Sequence, residues 1–240
     1  HIYLLLVYEH VLCHTPIAGI YGRLLRFKFP KLKTIYTAHG YHFLKGGSKL
    51  GWILYYPIEK LMASLTNVTI NINKEDYEIT KNKLNPEKCY LINGVGVDLD
   101  KYKKINNEKI ENKKRELGLK EDDFIVLNIA EINKNKNHIQ IIKAMELLKD
   151  QYPNIKVISV GDGELSDSIE KEISQRGLEE NIALLGYRED INELINISDI
   201  GILMSHREGL PRNIMEFMAC GRKVIATDIR GSRDIVCNAS

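Results

Sequence analysis

"FIVLNIAEINKNKNHIQIIKAMELLKDQYPNIKVISV", residues 124–160, decides the fold class. Phe124–Ala130 is a short apolar run rich in branched residues, closed by a polar loop, and reads as a strand. Residues 137–152 space their apolar side chains for one face of a helix. "IKVISV", Ile155–Val160, is a second strand. Strand, helix and strand in so short a stretch form a crossover, which joins parallel neighbours.

The same alternation continues outward. Downstream come helix "ELSDSIEKEISQRG", strand "IALLGY", helix "DINELINI", strand "DIGILMS", helix "RNIMEFMAC", strand "KVIATD" and the start of a helix at "SRDIV". Upstream, "KLKTIYTAHG" is a strand ending at His39, "KLGWILYYPIEKLMASL" a helix and "NVTININ" a strand. "KEDYEITKNKL" is a helix capped by Asn73, and "KCYLING" is a strand. Between the two series, residues 95–121 are charged and poor in large apolar side chains, and read as a connection with one solvated helix. The expectation is an α/β protein of two Rossmann-like parallel-sheet domains facing a cleft, residues 1–94 and 122–240, with ligands at the carboxyl ends of the strands.

Composition agrees with a folded domain pair. Of 240 residues, 44% are hydrophobic and 28% charged, and the net charge is +2. That balance gives no electrostatic footprint for nucleic acid. Cys13, Cys89, Cys220 and Cys237 form no C-x-x-C pair, which argues against structural zinc and for a reducing compartment. The apolar run Ile2–Tyr8 is too short to span a bilayer. The chain starts at histidine and stops as a helix opens, as a fragment cut at both ends would.

The chemistry concentrates in "EGLPRNIMEFMACG", Glu208–Gly221. Pro211 suits the first turn of a helix, and Gly209 allows close approach of a ligand to the backbone. The free N–H groups of a helix start suit a phosphate. Glu216 lies about five residues inside, roughly 7–8 Å along the axis, with its side chain tilted back toward the mouth. Glu208 and Glu216 can therefore border one anion and accept hydrogen bonds from hydroxyls on either side of it, as in a nucleotide-diphosphate sugar. Ile214, Phe217, Met218 and Gly221 would form the buried stripe. On spacing alone, a merely solvated Glu216 and a Glu208 that simply precedes a helix explain the stretch equally well.

These residues carry a resemblance. "SHREGLPRNIMEFMACGRKVIATDIRGSRDIV" looks like the signature of glycosyltransferase family 4, whose E-x7-E motif matches Glu208 and Glu216. "CHTPIAGIYGRLL", "TIYTAHGYHF", "INGVGVDLDKY", "NKNKNH", "VGDGEL" and "LGYRED" extend the match over nearly the whole chain, in the order seen in bacterial capsule and exopolysaccharide transferases. The resemblance implies a GT-B fold and a retaining, metal-independent transfer from a nucleotide sugar, often a UDP-sugar, with no further cofactor. It implies that Glu208, with Gly209 and Leu210, lies by the donor sugar and diphosphate, and that Glu216 holds the ribose. Lys136 would neutralise the leaving diphosphate, and where the family's arginine is absent Lys134 or Arg207 would compensate, unless this subgroup works without it. Gly161 and Gly163 would turn beside the donor, and Tyr187 and Arg188 would hold the base. His39 and Gly40, with His14 and Gly19, would lie on the acceptor side. The partner of Lys136 in the family's R-x4-K pair is an arginine; here it is Glu131, which cannot clamp a phosphate. The family's first strand with its glycine-rich turn, and its last helix, would fall beyond His1 and Ser240.

The acceptor implied is a glycan or a polyprenyl-diphosphate-linked sugar at the cytoplasmic side of the membrane. "YGRLLRFKFPKLK" has the basic amphipathic character that rests on anionic lipid, although a solvated helix face has it too. Other readings stay open. "DLD", Asp98–Asp100, resembles a metal-binding D-x-D, and "GDGELS" a dinucleotide loop lacking its third glycine. His14, His39 and His42 could be imagined as a metal cluster, while His138 and His206 read as solvent or cap residues. A sugar-nucleotide epimerase, a phosphorylase or a non-catalytic remnant would share the fold.

Overall fold

The computed structural model describes residues 9–236. The run Ile2–Tyr8 and Cys237 lie outside the described residues. The chain divides into two compact units. One runs to Val95 and takes in Glu208–Leu210; the other holds Gly96–Arg207 and resumes at Pro211.

The first unit is a parallel sheet ordered β1 (His10–Cys13), β2 (Lys33–Ala38), β3 (Val68–Asn71), β4 (Lys88–Leu91). Helices α1 (Pro16–Lys28), α2 (Lys49–Ala63) and α3 (Lys74–Ile79) make the crossovers, and α3 runs on into a π-helical turn, Thr80–Leu84. Asn73 caps α3, its side chain accepting from the Asp76 N–H at 2.8 Å. Helix α1 lies close on the sheet because it turns glycines toward it. A Cβ on Gly22 would fall 2.3 Å from the Cys13 sulfur, and one on Gly19 2.8 Å from the Tyr36 ring. Arg23 then fills the space over Tyr36, 4.2 Å from the ring centroid, and pairs with Glu59 of α2 at 2.8 Å.

The second unit is a five-stranded parallel sheet ordered β7 (Ile182–Leu184), β6 (Ile155–Val160), β5 (Phe124–Ile129), β8 (Ile200–Leu203), β9 (Lys223–Ala226). Its helices are α4 (Asn107–Glu116), α5 (His138–Leu148), α6 (Ser166–Gln175), α7 (Ile191–Ile197), α8 (Arg212–Ala219) and α9 (Ser232–Ile235). Central strands β5 and β6 bury apolar side chains on both faces: Ile125 and Leu127 pack with Leu194 and Phe217, and Val157 packs with Ile141 and Ile173. That is why these strands read as near-continuous apolar runs.

Residues 96–121 are part of this unit rather than a separate connection. Tyr102 is buried in its core, with Val97, Ile110, Leu117 and Leu119 packed beside it. The expected solvated helix is present, with Glu108, Lys109, Glu111 and Arg115 exposed, but one of its charges is not solvated: Lys113 is 8% exposed and reaches Asp190 at 2.8 Å, Glu193 at 2.9 Å and Glu116 at 2.7 Å. Burial alone would pull the Lys113 pKa down, but these carboxylates raise it well above the usual lysine value.

Candidate functional site

Strands β5 and β8 are neighbours although β6 and β7 intervene in sequence, so chain order reverses between them. The crevice outside the carboxyl ends at such a reversal is where open parallel sheets take ligands. The loops there are knitted by backbone bonds. Ala130 N–H donates to Val160 O at 2.9 Å, Ile132 N–H to Asp162 O at 3.0 Å and Gly161 N–H to Gly186 O at 2.8 Å. Gly161 has φ +132°, and a Cβ there would fall 2.2 Å from the Ala130 carbonyl oxygen, so no other residue fits. A Cβ on Gly163 would meet Ile132 O at 2.3 Å. The two glycines thus set the closeness of the β5 and β6 loops. Over them opens a groove of about 620 Å³, lined by Lys101, Ala130, Glu131, Gly161, Tyr187 and Arg188 among others.

Helix α8 is moored to the same edge. The Asn213 amide donates to Ile129 O at 2.8 Å, the His206 N–H to Asn135 O at 2.8 Å, and the Asn135 amide to Arg207 O at 2.9 Å. Pro211 is the N-cap of this helix rather than a residue of its first turn, and no side chain caps the helix there. The buried face of α8 also differs from the expected stripe. Ile214 and Phe217 are buried, but Met218 and Gly221 are exposed, and the face turns instead through Cys220 to Glu216.

Glu216 is only 7% exposed, which removes the solvated reading. Burial raises its pKa; a hydrogen bond from the Tyr102 hydroxyl and the charges of Arg212 and Lys101 oppose that. Arg212 Nε stands 3.3 Å from its Oε1. The Tyr102 phenol is pushed up to about 12 by burial and by the Glu216 charge. The carboxyl group is thus lodged in a partly apolar wall whose net effect is to raise its pKa, with Tyr102, Arg212 and Lys101 opposing that rise. Tyr102 and Lys101 end the matched stretch "INGVGVDLDKY" but were not among the expected site residues, because their segment read as a connection. The signal was Tyr102 itself, a large aromatic in an otherwise charged run.

The other expected donor residues fare differently. Tyr187 is exposed at the groove, its N–H held by Asp162 Oδ2 at 3.0 Å. Arg188 lines the groove, but its guanidinium is engaged by Asp190 at 2.6 and 2.8 Å and by Glu116 at 3.2 Å. Those contacts hold the Asp190 carboxyl well below the usual range. Lys136 is half-buried in the loop between β5 and α5, its N–H donating to Asn133 Oδ1 at 3.1 Å. Glu131 accepts from the Asn133 amide at 2.9 Å, so the residue in the arginine's place shapes the loop. Lys134 and Arg207 are exposed. His138 is neither solvent nor cap: it is 4% exposed and begins α5 on the face of Ile141 and Ile142.

In the first unit, His14 Nδ1 and His39 Nε2 are 3.3 Å apart at the carboxyl ends of β1 and β2. Partial burial and the nearby His14 lower the His39 pKa. Gly40, with φ +144°, turns the chain away. Glu208, Gly209 and Leu210 are half-buried and count with this unit. Gly19 packs under Tyr36 as described above, and the His42 and Tyr55 rings meet at a tilt of 34° with centroids 4.7 Å apart. Asp98 Oδ1 accepts the N–H groups of Asp100 at 2.9 Å and Lys101 at 3.1 Å, so the "DLD" aspartate closes a turn. Among the described residues, no three His, Cys, Asp or Glu side chains gather as a metal site.

Two parallel α/β units, a groove at the strand ends of the second and a buried helix-borne glutamate are what the geometry offers, and comparison with known proteins gives the family. Residues 109–240 match "Glycosyl transferases group 1", and the chain belongs to that family. It is 37% identical over 232 residues to the putative glycosyltransferase EpsD of Bacillus subtilis, covering 95% of this chain and 61% of that protein. It is 30% identical to the UDP-Gal:alpha-D-GlcNAc-diphosphoundecaprenol alpha-1,3-galactosyltransferase of Escherichia coli, covering 96% of this chain and 60% of that one. The chain therefore spans about three fifths of these relatives. Among solved structures, Anabaena Alr3699/HepE in complex with UDP and glucose superposes with a TM-score of 0.84 at 21% identity, over 99% of this chain and 64% of that one. Sucrose-phosphate synthase from Thermosynechococcus elongatus does so at 0.81 and 18% identity, over 96% of this chain and 59% of that one. The fold is the GT-B type.

Proposed function

We propose that this chain serves a retaining, metal-independent glycosyltransferase that moves a hexosyl or N-acetylhexosaminyl group from a UDP-sugar to a polyprenyl-diphosphate-linked or glycan acceptor in cell-surface polysaccharide synthesis, on the cytoplasmic side of the membrane. One observation carries the reading: a buried glutamate on a helix moored to the edge where the groove opens. Relatives named for UDP-sugar and diphosphoundecaprenol substrates support it. In this reading Glu216 accepts the ribose hydroxyls and Tyr187 covers the base. The N–H groups at the mouth of α8 and the Lys136 ammonium take up charge as the bond from the anomeric carbon to the diphosphate oxygen breaks. Glu208, with Gly209 and Leu210, borders the sugar and diphosphate. The acceptor hydroxyl, guided by the first unit around His39, forms the new bond from the same face and passes its proton to the departing diphosphate oxygen. Lys101 and Lys134 stand in for the missing family arginine.

The test is transfer from a labelled UDP-sugar panel to an undecaprenyl-diphosphate-linked acceptor by the purified protein, with the product anomer read by NMR. Retained configuration and release of UDP are expected without added metal. An inverted product, or strict dependence on a chelatable metal, would overturn this mechanism.

A further inference from the structure

Besides the strand ends, two stretches remote in sequence line the groove of the second unit. One is the loop from Tyr187 to Ile191, between β7 and α7. The other supplies Lys101, from the segment that leads into α4. Its neighbour Tyr102 holds Glu216 by a hydrogen bond. The spacing of these two stretches therefore sets the shape of the groove, and side chains fix that spacing.

The first tie is made by amides of α7. Asn192 Oδ1 accepts the Lys103 N–H at 3.2 Å, Asn196 Oδ1 accepts the Ile105 N–H at 3.2 Å, and the Asn196 amide donates to Lys103 O at 2.9 Å. The second tie is a cluster of five charges. Lys113 Nζ reaches Glu116 at 2.7 Å, Asp190 at 2.8 Å and Glu193 at 2.9 Å. Arg188 reaches Asp190 at 2.6 and 2.8 Å and Glu116 at 3.2 Å. Asp190 and Glu116 thus each accept from both cations.

Asp190 makes these bonds instead of a commoner one. It stands at the N-cap of α7, where an aspartate ordinarily accepts a backbone N–H of the first turn. Here no side chain caps the helix, and the carboxylate goes to Arg188 and Lys113. Charge-assisted bonds are about twice as strong as neutral ones, and a network of them fixes geometry where a lone surface pair does not. The Lys113 side chain is only 10% exposed, so solvent screens its bonds little. Yet Lys113 is not among the residues that line the groove.

We propose that Lys113 is a positioning residue for the nucleotide, a role that rests on reading the groove as a nucleotide site. Through Asp190 and Glu116 it clasps the loop of Tyr187 and Arg188 to α4, and so to the segment that carries Lys101 and Tyr102. UDP affinity then depends on a lysine that lies outside the groove.

Calorimetric titration of UDP against the parent protein, Lys113→Met, Lys113→Arg and Ile110→Ala tests this, with thermal melting of each. Ile110 packs on the core from the same helix and is no member of the cluster. Lys113→Met should weaken UDP binding roughly tenfold, as expected for losing a charged hydrogen-bond donor. Lys113→Arg keeps the charge and should recover most of that loss. Ile110→Ala should lower the melting temperature and bind UDP as the parent does. Asp190→Asn opens the same clasp while keeping the side-chain shape, and takes the place of Lys113→Met should that variant fail to fold. Equal UDP affinity in the parent and the clasp variant would overturn the proposal and leave the nucleotide reading standing. So would a loss of affinity in Ile110→Ala as large as that in the clasp variant, since helix stability alone would then account for it. Binding of UDP by none of these proteins would overturn the nucleotide reading and the clasp together.

Discussion

At the scale of single residues, the decisive contact is Tyr102 on Glu216. The phenol donates to a carboxylate whose burial favours the protonated form. Tyr102→Phe keeps the ring and loses the donor, so the Glu216 pKa should rise. Nucleotide affinity should then begin to fall at a higher pH than in the parent protein, while affinity at alkaline pH changes little. Titrations across pH read this, and an unchanged pH profile would show that Tyr102 only packs. His138 gives a second residue-scale prediction. Burial, with Lys136 adding to it, pushes the imidazole from 6.5 down to about 4, and neither ring nitrogen has a hydrogen-bond partner. The unfolded chain takes up the proton first, so His138 leaves stability intact above pH 6.5 and removes it as pH falls from there toward about 4. His138→Leu should flatten that part of the melting temperature against pH.

At the scale of elements, the Arg23–Glu59 pair is the joint between α1 and α2. Breaking a buried pair leaves an uncompensated charge, so Arg23→Ala should cost about 3–5 kcal/mol. Arg23→Met with Glu59→Leu should restore most of that, as read by urea unfolding; a double variant as unstable as the single one would mean the pair has a role beyond packing. Elements were also where the sequence was most legible. Alternating apolar runs and helical spacings located the strands and helices, because each must bury a face with its own period. The exceptions share a cause. The charged run 95–121 read as a separate connection because the burial of Tyr102 and ion pairs such as Lys113 to Asp190 are tertiary, and a local pattern does not contain them. Helix α8 was turned the wrong way because its buried arc includes a glutamate, which hydrophobic patterning assigns to solvent. His138 was misplaced for the same reason, although its spacing to Ile141 and Ile142 set it on the core face.

At the scale of the whole molecule, two parallel sheets with separate cores carry separate tasks. The second unit offers the groove and Glu216; the first offers the His14 and His39 pair. The E-x7-E spacing singled out Glu216 from sequence alone, but the wall around it was not legible there, because Tyr102 and Glu216 are brought together only by folding. The central claim is that this wall is a nucleotide site. Isothermal titration of UDP, beside GDP and ADP, against the protein and its Glu216→Ala variant tests it most directly. One nucleotide, UDP, should bind the parent, and the variant should lose at least tenfold in affinity, as expected for removing a charged acceptor from ribose hydroxyls. UDP binding with equal affinity to both proteins would contradict the account.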